Sequence, residues 1–444
     1  MLEGTKVVDG LAGTRSTAVG GRTLASLAVV AGLLLVPGLV RADAVYTLVP
    51  TLGVGVATNP TATGGVVPPG ARDRDEFGNA ALNARAIFDN GPQSSNVGIG
   101  YRLSYQRYLH DDTVPETFAN ELSVTSALHP TVTTNLDLGA TATLSRLSQV
   151  VAVGTVANVT PQALAAGDSY FFSTGANEIL TYQPLPTRTL VQNLVLNRVQ
   201  YLSDTPQPST LSVTATLRGD LQAGRDTYSA ETEFIDSYRG SSSVMTTVLP
   251  GGHLFLVGAR AAWRREFSAT WSTDAEAGAV SAFRPSGGFD VQPVGLASVN
   301  YRRVPWFANL TASQTAAPNI FIGGISLNDQ AVLRLGLPLN RRDTIVLAGF
   351  AGITHSKFLG SNSGDTPPPT YNQIAAGASL TAHPDRSPFW AGIEYALVDQ
   401  LAGDATNTMT AVPVVGFLRQ TLMVLVGGTF VWGKGVPSPF RGVL

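Results

Sequence analysis

Val132-Thr133-Thr134-Asn135-Leu136-Asp137-Leu138-Gly139-Ala140-Thr141-Ala142-Thr143-Leu144 is the stretch whose reading decides the fold. Leu136, Leu138, Ala140, Ala142 and Leu144 fall on one side of an extended chain, and Asn135, Asp137, Gly139, Thr141 and Thr143 on the other. This is the period of a strand, whose successive side chains point to opposite faces, and not that of a helix. One face suits lipid and the other water. Val97 to Tyr105 repeats the pattern, with Val97, Ile99, Tyr101, Leu103 and Tyr105 set against Gly98, Gly100, Arg102 and Ser104. Leu211 to Leu217 does so with Ser212, Thr214 and Thr216 on the polar side. From Val45 onward helical periodicity is nearly absent.

Composition narrows the classes. A length of 444 residues would fill two or three globular domains, yet one large barrel can absorb all of it. Charged residues make up only 14% and the net charge is −2, so there is no basic field to hold nucleic acid. Cys is absent, which removes disulfides, thiolate metal sites, thiol nucleophiles and a lipidated N-terminal Cys together. Apolar residues reach 44%, but past the N-terminus no uninterrupted run attains the ~18 residues of a membrane helix.

The N-terminus reads as an address. Arg22 precedes the apolar stretch Leu24 to Val40, Pro37-Gly38 breaks that run, and Ala42-Asp43-Ala44 supplies small residues for signal-peptidase cleavage. Residues 1–44 are thus expected to be a signal peptide and the mature chain to begin near Val45. Met1 to Gly21 is long for a charged leader region, which points to a start codon further downstream.

Connections between the alternating runs are of two kinds. Short turns are expected at Asn90-Gly91-Pro92, His129-Pro130-Thr131, Leu185-Pro186-Thr187, Ala223 to Asp226, Arg264-Arg265-Glu266, Arg302 to Pro305, Asn340 to Asp343 and His383 to Arg386. Between them lie loops rich in Gly, Pro, Ser and Thr, at Pro60 to Gly78, Ser148 to Ser169, Asp236 to Gly251, Thr315 to Ile325, Lys357 to Thr370 and Gly403 to Ala411. Short turns on one rim and longer loops on the other describe a transmembrane antiparallel β-barrel, with the turns periplasmic and the loops extracellular. The runs count to about eighteen strands, within sixteen to twenty, an even number as single-chain bacterial barrels have. A soluble β-sandwich also alternates, but several runs reach the ~9 to 11 residues that cross a bilayer, longer than the ~5 or 6 of soluble strands. Aromatics near strand ends, among them Tyr46, Tyr101, Tyr105, Tyr108, Tyr182, Tyr201, Trp263, Tyr301, Trp306, Phe389 and Trp432, suit interfacial girdles. A β-solenoid would show a fixed repeat, and none is present.

The opening strand Tyr46-Thr47-Leu48-Val49-Pro50-Thr51-Leu52, the Pro-Thr and Pro-x-Arg turns, and the last strand through Leu418-Arg419-Gln420-Thr421-Leu422-Met423-Val424-Leu425 carry a resemblance. The chain resembles the uncharacterised large outer-membrane β-barrel proteins of Gram-negative bacteria and, more loosely, the porin-type barrels. The resemblance implies a barrel over residues 45–433 in the outer membrane, embedded in its lipid. It further implies handling by periplasmic chaperones and the barrel-assembly machinery, and a possible homo-oligomer, since many porin-like barrels are trimeric. One feature departs from the pattern. The usual terminal aromatic is replaced here by Phe430 and Trp432 followed by Gly433 to Leu444, so residues 434–444 form a tail.

By this alternation the watery side is expected to receive Arg85, Arg102, Arg218, Arg260 and Arg334 together with Glu121, Asp137, Glu231, Glu233, Asp274, Glu276 and Glu394. An Arg facing lipid at mid-membrane would cost ~2 to 4 kcal/mol. These charges either line a pore and set its ion preference or fill the lumen with ion pairs. The leading expectation is a porin-like channel for small polar solutes. A non-conducting structural, adhesive or assembly-partner barrel is the alternative, with an outer-membrane hydrolase third. No cofactor, metal or catalytic residue is assigned. The five His residues are His110, His129, His253, His355 and His383, with His129 and His383 expected in periplasmic turns and the other three towards the outer rim. Only His110-Asp111-Asp112 sets a His beside carboxylates, and adjacent loop residues of this kind are usually just solvated. Val150 to Ala166 is unusually apolar for a loop, and either folds inward to narrow the opening or extends a hairpin beyond the membrane.

Overall fold

The computed structural model describes residues 43–59, 73–89, 96–110, 114, 116–148, 168–202, 209–240, 242–244, 247–249, 252–283, 289–303, 306–319, 324–340, 342, 344–359, 370–385, 387–402 and 417–433. The expected signal peptide up to Ala42, the segment Val150 to Ala166 and the tail 434–444 lie outside them.

Among the described residues all regular structure is β. In chain order the strands are β1 (Asp43–Thr58), β2 (Arg74–Asp89), β3 (Asn96–Tyr108), β4 (Thr117–Thr131), β5 (Thr134–Ser148), β6 (Asp168–Leu185), β7 (Arg188–Tyr201), β8 (Thr210–Ala223) and β9 (Asp226–Arg239). A small hairpin follows, β10 (Ser242–Val244) with β11 (Thr247–Leu249). The wall resumes with β12 (Gly252–Glu266), β13 (Trp271–Phe283), β14 (Phe289–Arg303), β15 (Trp306–Asn319), β16 (Gly324–Pro338) and β17 (Ile345–Leu359). It ends with β18 (Thr370–Ala382), β19 (Phe389–Ala402), β20 (Phe417–Gly428) and β21 (Phe430–Gly433). Every neighbour is antiparallel, and β1 pairs both with β2 and with β20 and β21, so the sheet closes on itself. β20 and β21 are two halves of one crossing, interrupted at Thr429, which makes eighteen crossings in all. Pro50, which has no N–H to give, sits in β1 between the pairs Leu48↔Phe430 and Thr51↔Gly427, where the ladder is broken. Phe430 and Trp432 therefore do end the last strand, and Trp432 stacks on Tyr46 of the first at 5.8 Å.

The two rims differ as expected. One is joined through Val132-Thr133, Pro186-Thr187 and Gly224-Arg225, and the other through connections such as 59–73 and 403–416. Gly224 has φ +66° at the first central position of a two-residue hairpin, where the mirror-image turns matching strand twist favour Gly. Some boundaries shift from the sequence reading. Arg264 to Glu266 belongs to β12 and the turn follows at 267–270, while most of Thr315 to Ile325 is strand, leaving only 320–323 as a connection. β2, β9 and β16 likewise extend into the loops expected at Pro60 to Gly78, Asp236 to Gly251 and Thr315 to Ile325, because strands run on past the membrane.

Register settles the faces, since directly paired residues lie on the same side of the sheet. Leu52, Val54, Leu138, Leu194, Leu310, Ile393, Leu422 and Val424 form one exposed, apolar face. Phe77, Tyr108, Ile235, Leu256, Tyr371 and Arg419 lie on the other and are buried. A single barrel cannot bury a smooth outer wall, so the second face is the interior. Tyr108, expected in a girdle, is one of these inward residues. Outward aromatics form two belts, with Trp271, Tyr301 and Trp306 near the short-turn rim and Phe255, Phe283 and Phe289 near the long-loop rim. Twelve residues separate Trp271 from Phe283, which at ~3.4 Å rise and ~40° tilt spans roughly 30 Å, close to the height of an apolar membrane band. A closed sheet, apolar outside and polar inside with aromatic belts, is a barrel of the bacterial outer membrane.

Among the described residues, the pairing of β14 with β15 is shorter than the two strands. β14 and β15 pair only from Arg303↔Trp306 up to Gly295↔Gln314, although both strands continue towards the long-loop rim. Above that pair the strands part. A buried apolar cluster there joins Ile235, Leu254, Leu256, Val280, Ala282 and Val294, which register places inward, with Ala316, Ile325, Leu327 and Leu359, which it places outward. The two sets meet only if the β15–β17 lip tucks inside the β12–β14 lip, and β16 correspondingly approaches β9 across several intervening strands.

Candidate functional site

Among the described residues, the interior face gathers charge in strand after strand. Glu121 pairs directly with Arg102 and Arg218 with Glu231, while Arg85, Asp137, Asp274, Glu276, Arg334 and Glu394 follow the same inward parity in their own strands. With Glu233 and Arg260 this puts all twelve candidate residues on one face. They do not form one cluster.

The densest group surrounds Arg260 of β12. Its Nη1 donates to Glu276 Oε1 at 3.0 Å, its Nη2 to Glu233, and its Nε lies 3.4 Å from Glu231 Oε1. Strand pairing explains the convergence, since β9 and β13 flank β12 and each offers inward carboxylates within a residue or two of the Arg260 level. Three carboxylates around one guanidinium leave a local excess of negative charge. The guanidinium side chain is only 15% exposed, so that excess is felt in a medium less screening than bulk water.

Towards the short-turn rim the polar wall continues. Arg218 Nε donates to Asp220 at 2.7 Å and its Nη2 to Ser229 at 3.0 Å. Asp274 accepts from Ser298 at 2.9 Å and from Asn300 at 2.8 Å, and Asn309 donates on to Asn300 at 2.5 Å. By contrast Arg85, Arg102, Glu121, Asp137, Arg334 and Glu394 form no ion pair among the described residues; Arg85, Arg102 and Asp137 are exposed to the lumen.

Two interior pairs escaped the sequence reading. His110 Nδ1 lies 3.0 Å from Asp75 Oδ1 of β2, whose side chain is 1% exposed, while Asp111 and Asp112 lie outside the described residues. The carboxylate that meets His110 is therefore remote in sequence. Arg419 donates to Tyr108 Oη at 2.5 Å across the β3 and β20 walls. Its signal was present in the alternation, because Arg419 interleaves with Leu418, Leu422, Val424 and Val426 and so had to face inward. His253 and His355 stand on the outward parity near the long-loop rim, and His129 and His383 lie at the short-turn rim. Among the described residues no three His, Asp or Glu side chains gather as a metal site.

Buried interior residues concentrate in the long-loop half, as with Ala57, Phe77, Tyr108, Val199, Ile235, Leu256, Tyr371, Gln400 and Phe417. The short-turn half is lined by exposed or half-exposed side chains. Among the described residues, interior side chains thus crowd the outer half of the lumen and leave the periplasmic half more open.

No protein-family model matches the chain. No curated protein matches it either. Among solved structures, OccK9 (OpdG) of Pseudomonas aeruginosa is similar over 87% of this chain and 98% of its own, at 10% identity and TM-score 0.44. OccAB3 of Acinetobacter baumannii covers 88% and 100%, at 10% identity and TM-score 0.44. The FrpB iron transporter of Neisseria meningitidis covers 89% and 82%, at 10% identity and TM-score 0.47. Likenesses this distant support no argument about what the present chain carries.

Proposed function

We propose that the protein is a porin-like channel for the passive passage or uptake of small polar solutes across the outer membrane. The two-sided wall is the observation that supports it. Charges and hydrogen-bonding side chains from β2 to β20 share the interior, and a barrel of this strand number is wide enough to hold an aqueous channel. The Arg260 group and the lumenal Arg85, Arg102 and Asp137 would then set the ion preference. Planar-bilayer recordings of the purified protein test this reading, with stepwise conductance expected. Liposome swelling with graded sugars would measure the size limit.

The crowded outer half of the lumen favours a second reading, a non-conducting structural or assembly-partner barrel. Absence of conductance together with unimpaired insertion would select it. A hydrolase needs a His, an acid and a nucleophile in contact. His110 and Asp75 do meet, but no Ser or Thr hydroxyl hydrogen-bonds His110 among the described residues.

A further inference from the structure

The outer wall carries a groove. Register brings Gly219, Ala230, Ala261, Ala277 and Gly295, all on the outward face, into one row across β8, β9, β12, β13 and β14, each directly paired with the next. Thr232, Ala259 and Ala279 make the adjoining row small as well. Side chains this short leave the surface low, and a Cβ added at Gly219 would meet nothing within 4 Å. Larger outward residues, exposed or half-exposed, stand on either side, with Leu221, Tyr228 and Trp263 towards the short-turn rim and Phe234, Val257 and Val291 towards the other. Two concavities, of about 560 Å³ and about 420 Å³, follow this floor and share Gly219 and Ala230.

The groove runs obliquely through the membrane. Because the strands tilt, each step carries the row further from the short-turn rim, so Gly219 lies near the end of β8 whereas Gly295 lies at the middle of β14. Four steps of ~4.8 Å make the floor roughly 19 Å long, the scale of an extended acyl chain. Hydrocarbon must fill it, since an empty gap forfeits the dispersion contacts of its lining. At the lower end stands Arg188, the first residue of β7, in one row with Leu221 and the interfacial Tyr228. All three line the lower concavity. Arg188 is exposed and forms no ion pair among the described residues. Asp226, an outward carboxylate at the same rim, is already held by Arg265 and by the Trp263 indole. An uncompensated positive charge therefore stands where the groove reaches the head groups of the periplasmic leaflet.

We propose that this face binds one phospholipid of the periplasmic leaflet, with an acyl chain along the floor from Gly219 towards Gly295 and the phosphate on Arg188. A guanidinium suits a phosphate because its planar fork donates two parallel hydrogen bonds. The apolar stem of Arg188 lies along the wall while its charge stays at the interface. A floor two rows wide admits a single chain but not the broad convex wall of a second barrel. The groove lies outside the lumen, so the proposal is independent of whether the barrel conducts.

The test is photolabelling of the full-length protein in detergent micelles with phosphatidylglycerol carrying a diazirine in its acyl chain, and separately with the matching diacylglycerol, followed by peptide mass spectrometry. Saturable labelling in residues 217–232 and 259–279 is expected, with the phospholipid exceeding the diacylglycerol by about tenfold. Ala261→Trp fills the groove and should remove this labelling while sparing the background around Leu52 and Leu422. Folding is checked by heat-modifiable electrophoretic mobility. Should Ala261→Trp fail that check, Arg188→Gln at the exposed rim serves instead, and the preference for the phospholipid should then largely disappear. Labelling spread evenly around the barrel, a diacylglycerol that labels as well as the phospholipid, or variants that leave the pattern unchanged would each overturn the proposal. So would a disulfide-linked dimer through Ala261→Cys in this chain without Cys, which would assign the face to a second copy.

Discussion

Arg260 and Glu276 meet diagonally across β12 and β13, Nη1 to Oε1 at 3.0 Å, and Glu231 and Glu233 of β9 close on the same guanidinium from the other side. One cation therefore ties three strands together through their interior side chains. Because three carboxylates share it, the group is both a structural clasp and a source of uncompensated negative charge in the lumen.

That excess charge has a direction in transport. If the lumen conducts, the Arg260 group should favour cations, and Glu231→Gln with Glu233→Gln should reduce that preference by removing both excess charges. The reversal potential across a potassium chloride gradient reports it. A double variant with unchanged reversal potential would show that the group plays no part in ion preference.

The clasp also has an energetic signature. Removing the cation alone in Arg260→Met leaves three poorly screened carboxylates facing one another, and breaking such a low-exposure pair costs about 3 kcal/mol. Adding Glu233→Gln to Arg260→Met should recover part of the loss, since it relieves repulsion and not merely a contact. Urea unfolding in phospholipid vesicles measures both, and a double variant no more stable than the single would refute the electrostatic account.

Much of this was legible in the residues. Alternation such as Leu136 to Leu144 sets a strand and its two faces at once, which is why Arg102 and Glu121, or Arg218 and Glu231, could be placed inward before any pairing was known. What alternation does not carry is which strands stand side by side at which height. His110 with Asp75, and Tyr108 with Arg419, depend on barrel closure and shear, not on local spacing. The inward tuck at β14 and β15 was hidden for the same reason. The tucked lip shows in one buried cluster that joins Ile325 and Leu327 with Val280 and Leu256, residues of strands far apart in the chain. Alternation even misleads there, because outward parity was equated with lipid.

His383, at the short-turn rim outside the membrane, offers a pH test. Its backbone N–H donates to the Thr344 carbonyl at 2.7 Å and its ring lies 6.2 Å from that of Trp390. Partial burial holds the imidazole below its ordinary value near 6.5. The unfolded chain then binds the proton more readily than the folded one, so this contribution to stability is present above that ordinary value and is lost as pH falls from it towards the folded pKa. His383→Gln should flatten the dependence of the urea midpoint on pH in this window. NMR titration of the imidazole in micelles should give a pKa below that of a model peptide, and a value at or above it would contradict the assignment.

The assignment of faces makes the sharpest demand. Leu194 lies at the middle of β7 on the outer wall, while its neighbour Asn193 points into the lumen. The same substitution at the two adjacent positions should therefore have very different consequences. Leu194→Asp places a carboxylate against hydrocarbon near the bilayer midplane and directly opposite Glu178 of β6 and should cost ~2 kcal/mol or more, whereas Asn193→Asp, facing the lumen, should cost no more than ~1 kcal/mol. Reversible unfolding in lipid vesicles gives both values on one scale. The ordering matters more than the magnitudes, because a barrel slipped by one residue in β7 would invert it, and two equal costs would mean that this strand does not separate lipid from water.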